Sequence, residues 1–303
     1  MLPAVRLGGV TVSRGLLYMV ASAIGFSAMS VLVKIASTRL PLGEIVLGRA
    51  VVTLVISYAM IRRAGVSPWG TQHGKLVFRG ALGFVALAAY YGAIALLPIA
   101  DATTIQQLVP LLTALLAWWL LGESIGWPTF FALACGIVGV VLIVDPGSGG
   151  TDVTGVLVAV GAAVCSSIAY VTVRTLAKSE HPLVIVFYFP LIAAPLALPW
   201  AIADWSTPSP TELLLLVAIG LSTQVGQVFL TMALVVEKVG RATSIGYLQI
   251  VFAIAWQLVI FGQAPAIATL AGAALIIGGT LVVSRFGTAA PPVPAATPPA
   301  PPA

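Results

Sequence analysis

The chain is built from long apolar runs separated by polar connections. A helix needs roughly 20 apolar residues to cross about 30 Å of hydrocarbon, and ten runs have approximately that length. Most connections are short, and only the one between the second and third runs reaches about 14 residues. The pattern predicts an all-α polytopic membrane protein with ten transmembrane helices. The predicted spans are residues 15–36, 43–62, 77–97, 103–121, 127–145, 155–176, 183–203, 212–234, 242–261 and 265–284.

The sequence repeats itself at an offset of 140 residues. The stretch Thr103–Glu123 matches Thr243–Gln263, and the same offset pairs small and basic residues through the rest of the chain. Because each copy holds an odd number of spans, the second copy starts from the opposite face of the membrane. The sequence therefore predicts two inverted five-helix repeats (5+5), at residues 15–145 and 155–285. Matched pairs include Gly15 with Gly155, Ser27 with Ser167, Lys34 with Arg174, and Gly139 with Gly279.

Basic residues set the predicted orientation. With the N-terminal segment 1–14 in the cytoplasm, eleven Lys and Arg residues fall on the cytoplasmic side and two on the other. Because Lys and Arg favour cytoplasmic connections, we expect both termini inside. The Pro/Ala-rich tail at residues 286–303 lacks apolar periodicity and is expected to be disordered. The cytoplasmic set is Arg6, Arg14, Arg62, Arg63, Lys75, Arg79, Arg174, Lys178, Lys238, Arg241 and Arg285, and the outer set is Lys34 and Arg39.

Composition excludes an ordinary soluble domain. Hydrophobic residues make up 60% of the chain and charged residues 8%, and the mean hydropathy is +1.10. In such a chain the net charge of +5 does not indicate a nucleic-acid partner. Cys135 and Cys165 both lie in apolar runs, where packing is favoured over a disulfide or a metal pair. We expect no metal site and no cofactor.

Inverted repeats have a functional implication. They let one sequence pack in two mirror-related ways, which makes outward-open and inward-open states nearly equal in energy. We therefore expect an alternating-access transporter, not an enzyme, whose partners are the lipid bilayer and a small solute. An intramembrane enzyme is disfavoured, because the chain has no HExxH or GxSxG motif and its histidines, His73 and His181, lie in separate connections. A receptor or assembly scaffold is the third class considered.

The end of the fourth span carries a recognisable pattern of a proline, small residues, a tryptophan and the letters LLGE. Together with the two five-span halves and Arg49 early in the second span, it resembles the EamA-type transporters of the drug/metabolite transporter (DMT) superfamily. The second copy departs from the pattern, with Ile250 and Gln263 in place of the proline and the glutamate. Within that group the chain is most similar to bacterial amino-acid exporters, including the aromatic branch. The residues that carry the pattern are Pro110, Ala114, Ala117, Trp118, Leu120, Leu121, Gly122 and Glu123.

The resemblance implies export of small metabolites, above all amino acids, across the bacterial cytoplasmic (inner) membrane. It also implies a central cavity bounded by spans 1 to 4 and 6 to 9, with the fifth and tenth spans packed at the side. Both of these spans carry small residues at spacings that suit close helix contact, within a monomer or, alternatively, at a dimer face. The small residues are Ala132, Cys135, Gly136 and Gly139 in the fifth span, and Gly272, Ala274 and Gly278 in the tenth.

Polar residues in the eighth span predict one wall of the cavity. Gln224 lies about eleven residues into this span, roughly 16 Å deep at 1.5 Å per residue, and Gln227 and Thr231 continue the same face. A polar stripe is costly against lipid, so we expect it to face a pocket for a small amphipathic solute. The alternative is that the glutamines hydrogen-bond between helices. The repeat mates of the stripe, in the third span, are Phe84, Leu87 and Tyr91.

Further candidates come from the other spans around the cavity. Ser27 and Ser167 are repeat mates about 18 Å from their starting faces, with helix packing as the equal alternative to solute binding. Tyr170 follows one turn after Ser167. The fourth span presents Thr103, Gln107 and Pro110 on one face, and the ninth presents Thr243, Tyr247 and Ile250. Pro110 is expected to weaken the helix and to permit bending during gating.

Arg49 is the only charged residue placed clearly inside a predicted span and away from its ends, about 9 Å from the outer surface. A guanidinium at that depth can hold a solute carboxylate bidentately, or alternatively bind backbone carbonyls or reach toward water. Glu123 closes its span at the cytoplasmic surface and is expected to anchor it. Glu44 resembles a helix-start charge.

All nine Asp and Glu residues lie at span ends or in connections, so the sequence shows no mid-membrane carboxylate relay. We therefore expect facilitated diffusion or exchange. The alternative function is a proton-coupled transporter of drugs or organic cations, or of nucleosides or sugars.

Overall fold

The computed structural model describes residues 5–7, 10–12, 14–122, 126–144, 152–236 and 248–286. The N-terminal segment, for which no strand was predicted, contains a short antiparallel hairpin of β1 (Val5–Leu7) and β2 (Val10–Val12). Eleven helices follow in the described part of the chain. They are α1 (Arg14–Ala36), α2 (Leu42–Arg63), α3 (His73–Leu96), α4 (Ile99–Gln106), α5 (Val109–Leu121), α6 (Trp127–Val144), α7 (Val153–Leu176), α8 (Pro182–Ala203), α9 (Pro210–Val236), α10 (Leu248–Phe261) and α11 (Ile267–Phe286).

The apolar runs form helices throughout the described ranges. Seven of these stretches are long and apolar enough to cross a membrane, counting α4 and α5 together, and the shorter apolar helices α6, α10 and α11 cover the remaining three predicted spans. The predicted tail at residues 286–303 lies outside the described residues from residue 287 onward, as do residues 237–247, which include the start of the ninth predicted span.

Helix packing follows the internal repeat. Helix α1 packs against α9 and α3 against α7, while α2 packs against α8 and α6 against α11. Further contacts join α2 to α9 and α3 to α8. Each of these helices has an equivalent helix in the other repeat. Replacing every helix by its equivalent gives the same set of contacts. Such matched packing is what two halves related by a twofold axis produce.

The fourth predicted span is two helices and not one. Helix α4 begins at Ile99, ahead of the predicted start, and the helix is interrupted at Gln107 and Leu108 before α5 begins. Pro110 is the second residue of α5, where its missing N–H and fixed φ are tolerated. The amide of Gln257 in α10 accepts the N–H of Ala100 at 3.0 Å, which satisfies one donor at the start of α4.

Some of the predicted small residues bring α6 and α11 into close contact, although a methyl group added at Gly278 would meet nothing within 4 Å. A methyl group added at Gly139 would lie 2.8 Å from the carbonyl oxygen of Gly272, and one added at Gly279 would lie 3.0 Å from the Cα of Ala132. Only glycine permits this approach, so the spacing read in the sequence is a contact between the last helices of the two repeats.

Polar contacts tie the helix ends together on both faces of the bundle. On one face the ammonium of Lys34 donates to the carbonyls of Ala95 and Leu97, both at 2.9 Å. On the same face the Glu44 carboxylate accepts the N–H of Ser206. On the opposite face Glu180 binds the connection between α2 and α3. The Glu44 and Glu180 contacts join the two repeats at opposite ends of the bundle, whereas the Lys34 contacts lie within the first repeat.

Candidate functional site

Arg49 lies in the interior of the bundle, as expected from its position in α2. Its side chain is 7% exposed, and its Nε donates to the hydroxyl of Thr223 in α9 at 3.2 Å. Its Nη1 is buried without a hydrogen-bond partner. The residue therefore reaches from the first repeat into the second and keeps a free donor in the interior.

Arg79 corrects the predicted orientation count. The sequence assigned this residue to a cytoplasmic connection, but α3 begins at His73, and Arg79 lies almost two turns inside the helix. Its side chain is also 7% exposed, and both its Nε and Nη1 are buried without partners. Arg49 is thus not the only charged residue inside a span, and the interior holds a second guanidinium.

Phe189 of α8 lies close to both arginines. The centroid of its ring is 5.2 Å from Cζ of Arg49 and 4.9 Å from Cζ of Arg79. Both distances lie within the range of a cation–π interaction. Helix α3 approaches α8 closely at this level, because a methyl group on Gly83 would lie 2.8 Å from the Phe189 ring. Gly83 therefore sets the position of the ring.

A cavity of about 20 Å³ opens between these side chains, with room for about one water molecule. No Asp or Glu lies among its lining residues, and none of the described residues forms an ion pair with Arg49 or Arg79. The site as it stands is too small for a solute. The lining is Arg49, Thr53, Ser57, Arg79, Val186, Phe189, Pro190, Thr223, Gln224 and Gln227.

Gln224 and Gln227 lie where the sequence predicts, in the wall of this cavity. Gln224 is buried and donates through Nε2 to the Ser57 hydroxyl and to Sδ of Met60, both at 3.4 Å. It also lines an apolar groove of about 280 Å³ between α2 and α9. The Gln224 side chain thus forms the partition between the charged cavity and this groove. Thr231, the third member of the stripe, has a side chain outside the described residues.

The predicted aromatic wall opposite the glutamines does not line the cavity. Tyr91 is fully buried, and its ring centroid lies 5.7 Å from Cζ of Arg49. Tyr91, Leu87 and Phe84 all pack in the main hydrophobic core. Truncating a fully buried aromatic residue costs about 3–5 kcal/mol, so a change of Tyr91 to Ala combines loss of stability with any effect on the site.

The serine pair is engaged in helix contacts. Ser27 donates to the carbonyl of Ile24 at 3.0 Å and accepts the indole N–H of Trp256 at 3.2 Å. Ser167 donates to the carbonyls of Ala163 and Val109, at 2.6 and 3.3 Å. Neither serine lines the cavity, and these partners match the packing alternative stated for them.

Other predicted residues lie apart from the cavity. Tyr170 is 43% exposed, although its hydroxyl remains within electrostatic range of Arg79. Gln107, at the interruption between α4 and α5, donates to the amide oxygen of Gln249 at 3.3 Å. Tyr247 and Glu123 lie outside the described residues. The functional residues that the sequence did not single out are Arg79, Phe189 and Thr223.

Comparison with known proteins identifies the family. A model of the EamA-like transporter family matches residues 13–145 and again residues 153–285, which makes the chain a tandem of two such domains. The pseudopaline exporter CntI of Pseudomonas aeruginosa is 34% identical over 272 residues, covering 89% of this chain and 96% of that protein. Solute carrier family 35 member G1 of Mus musculus is 33% identical, covering 88% of this chain and 77% of that protein.

Two more distant matches also extend over most of the chain. The S-adenosylmethionine uptake transporter of Rickettsia conorii is 27% identical over 270 residues, covering 89% of this chain and 92% of that protein. A solved crystal structure matches with a TM-score of 0.65 at 24% identity, over 88% of this chain and 96% of that one, and so shares the fold. Both halves of the chain match the family model and the relatives span nearly the whole chain. The chain therefore belongs to the EamA-like transporter family.

Proposed function

We propose that this membrane protein exports small metabolites that carry a carboxylate, with amino acids as the first class to test, by alternating access in a bacterial inner membrane. The observation that carries the proposal is the pair of buried guanidiniums of Arg49 and Arg79 in the space between the repeats. A buried cation without a partner is expensive, so a transporter that keeps two of them gains a binding site for an anion.

The relatives support the class of activity. They are named as an exporter and an uptake transporter of metabolites and as a solute carrier. Their printed names differ in both solute and direction, so neither is transferred to this chain. The proposed cytoplasmic termini rest on the basic residues of the connections, of which Arg79 no longer counts, whereas export rests on the family resemblance.

Alternating access is supported by the closed ends of the bundle. The cavity is too small for a solute, and contacts of Glu44 with Ser206 and of Glu180 with Thr71 join the repeats at its two ends. A solute enters only when one of these ends opens. The interruption beside Pro110 and the prolines inside α8, at Pro190, Pro195 and Pro199, are sites where helices can bend.

The alternative solutes fit the cavity less well. An organic cation would meet two positive charges and no carboxylate among the described lining residues. A sugar or nucleoside would leave both guanidiniums without a counter-charge. Proton coupling requires a titrating group, and none of the lining residues is a carboxylic acid or a histidine. Facilitated diffusion or exchange therefore remains the proposed mode.

The test is counterflow in proteoliposomes. Purified protein is reconstituted in vesicles preloaded with unlabelled solute, and uptake of the labelled solute is measured for amino acids, nucleosides, sugars and organic cations. We expect uptake of carboxylate-bearing amino acids and its loss in R49Q, with R62Q, an exposed arginine of the same helix, as the matched control. Preferential uptake of organic cations, or flux that disappears when a pH gradient is collapsed, would contradict the proposal.

A further inference from the structure

The two arginines of the cavity occupy different depths. Arg49 is fourteen residues from the Arg63 end of α2, and Arg79 is six residues from the start of α3 at His73. These two helix ends flank the same connection. At 1.5 Å per residue, Arg49 lies roughly 21 Å and Arg79 roughly 9 Å from that face. The Cα atoms of the two arginines therefore lie at different depths, and both side chains reach the same Phe189 ring.

Each guanidinium has donors to spare. Arg49 uses Nε for Thr223, while its Nη1 has no partner. Arg79 has two buried nitrogens, Nε and Nη1, without partners. A guanidinium binds a carboxylate through two parallel N–H donors, so each arginine can take a carboxylate group of its own.

Charge balance requires two negative groups. A solute with one carboxylate would neutralise one arginine and leave the other buried without a counter-charge, which is strongly unfavourable. Both guanidiniums border the Phe189 ring, whose centroid lies 5.2 Å from Cζ of Arg49 and 4.9 Å from Cζ of Arg79. Two carboxylates joined by a short carbon chain can pair with both cations, with the chain packed against the phenyl ring, whereas a single carboxylate supplies only one negative charge.

We infer that the solute is a small dicarboxylate, such as succinate, with one carboxylate on Arg49 and the other on Arg79. This inference rests on the proposed function, because it assigns the solute class of the same cavity. Thr223, which holds Arg49 at 3.2 Å, and Gln224 and Gln227, which supply amides in the wall, complete the polar contacts available to the solute.

The test compares solutes that differ in a single carboxylate. Binding of glutamate, glutamine, aspartate, asparagine, succinate and inorganic phosphate to the purified full-length protein is measured by calorimetry. We expect glutamate to bind about tenfold or more tightly than glutamine, and aspartate than asparagine, because the amide leaves one cation unpaired. In R79Q the preference of acid over amide should fall to about twofold or less, while R62Q should keep the wild-type preference.

Several outcomes would overturn the inference. They are equal binding of the acids and their amides, tighter binding of phosphate than of any diacid, no binding of any diacid, or an unchanged acid preference in R79Q. Binding is measured separately from flux. The inference of a dicarboxylate solute can therefore fail while the proposal of transport holds, and the reverse. A diacid that binds with the expected preference but shows no counterflow supports the solute class and contradicts transport of it. Counterflow of neutral and acidic amino acids at equal rates supports transport and contradicts the solute class.

Discussion

One carboxylate oxygen of Glu180 accepts hydrogen bonds from both the backbone N–H and the hydroxyl of Thr71, at 2.7 and 2.6 Å. The same oxygen accepts the N–H of Gln72 at 2.6 Å. Burial by itself would raise the pKa of Glu180, but these hydrogen bonds and the nearby His73 together lower that pKa below the usual value. The ionised carboxylate thus stabilises the contact between the α2–α3 and α7–α8 connections. That stabilisation is fully present above the usual carboxyl pKa and is lost as the pH falls through the lowered one.

The first prediction concerns this contact. E180Q removes the charge and should loosen the two connections, which expose the buried cluster around Leu76 when they part. In a background without Cys135 and Cys165, we expect a cysteine at position 76 to react about tenfold faster with a thiol reagent in E180Q than with Glu180 intact. With Glu180 intact, the labelling rate is divided by the fraction of the cysteine present as thiolate. This corrected rate should be constant from neutral pH down to about 4.3, the usual carboxyl pKa, and should rise only below that pH. E212Q, which alters a carboxylate at the start of α9, is the control, and unchanged labelling in E180Q would contradict the prediction.

Gln224 provides the second prediction. Its amide donates to Ser57 and Met60 and separates the charged cavity from the apolar groove. Q224A removes these bonds and one polar wall of the cavity, at a cost of about 1.5 kcal/mol in solute binding, or roughly tenfold in counterflow at low solute concentration. Expression and thermal stability should stay close to wild type, and Q263A, an exposed glutamine, should transport normally. Wild-type flux in Q224A would remove this residue from the site.

The third prediction uses the close approach of α3 and α8. G83A places a methyl group 2.8 Å from the Phe189 ring and 3.4 Å from Nη1 of Arg79. The ring has to move, and the distances between it and both guanidiniums change. We expect dicarboxylate binding to weaken by about tenfold while neutral amides are affected less. G74A lies on the same helix, where an added methyl group meets nothing within 4 Å, and should bind as wild type. Equal binding in both variants would show that the ring position is unimportant.

The fourth prediction concerns stability in the absence of solute. An unpaired buried charge opposes folding, so R79M should raise the free energy of unfolding by about 1 kcal/mol or more even after the cation–π contact with Phe189 is lost. The measurement is the apparent Tm of the purified protein without ligand. R62M changes an exposed arginine and should shift stability by no more than about 0.5 kcal/mol. A lower Tm in R79M would mean that Arg79 has a structural partner.

The sequence predicted those features that depend on hydrophobic period and repetition. Apolar runs of about 20 residues can only be helices in lipid, and the polar stripe of Gln224 and Gln227 faces the interior because lipid excludes it. Close contact between α6 and α11 has a similarly local origin, since small residues at i and i+4, such as Cys135 and Gly139, leave a flat helix face.

The second arginine was missed because Arg79 is only two residues inside the predicted third span, which starts at residue 77, and was counted with the basic residues of the cytoplasmic side. In the structure α3 extends back to His73, which places Arg79 farther inside the helix. A signal was present, since Gly80 and Gly83 mark the face of α3 that approaches another helix, and Arg79 is one turn before Gly83 on that face. Phe189 carried no such signal, because its role comes only from helix packing. For the serine pair, depth alone left helix packing and solute binding equally open, and both hydroxyls hydrogen-bond to carbonyls of their own helices.

The charges of Arg49 and Arg79 lead to a final prediction, on the dependence of transport on membrane potential. If a dicarboxylate neutralises both guanidiniums, the loaded cavity crosses the membrane without net charge, and the empty cavity returns with two positive charges. A membrane potential that is negative inside favours that return by about 2.3 kcal/mol per charge for each 100 mV, and so drives export. We expect dicarboxylate efflux from oriented proteoliposomes to accelerate when a potassium gradient and an ionophore impose such a potential. R79Q retains one cavity charge and should show about half the dependence of log rate on potential, since the energy scales with the charge moved. R62Q should match wild type, and efflux independent of potential in the wild-type protein would mean that the two charges do not move through the field with the site.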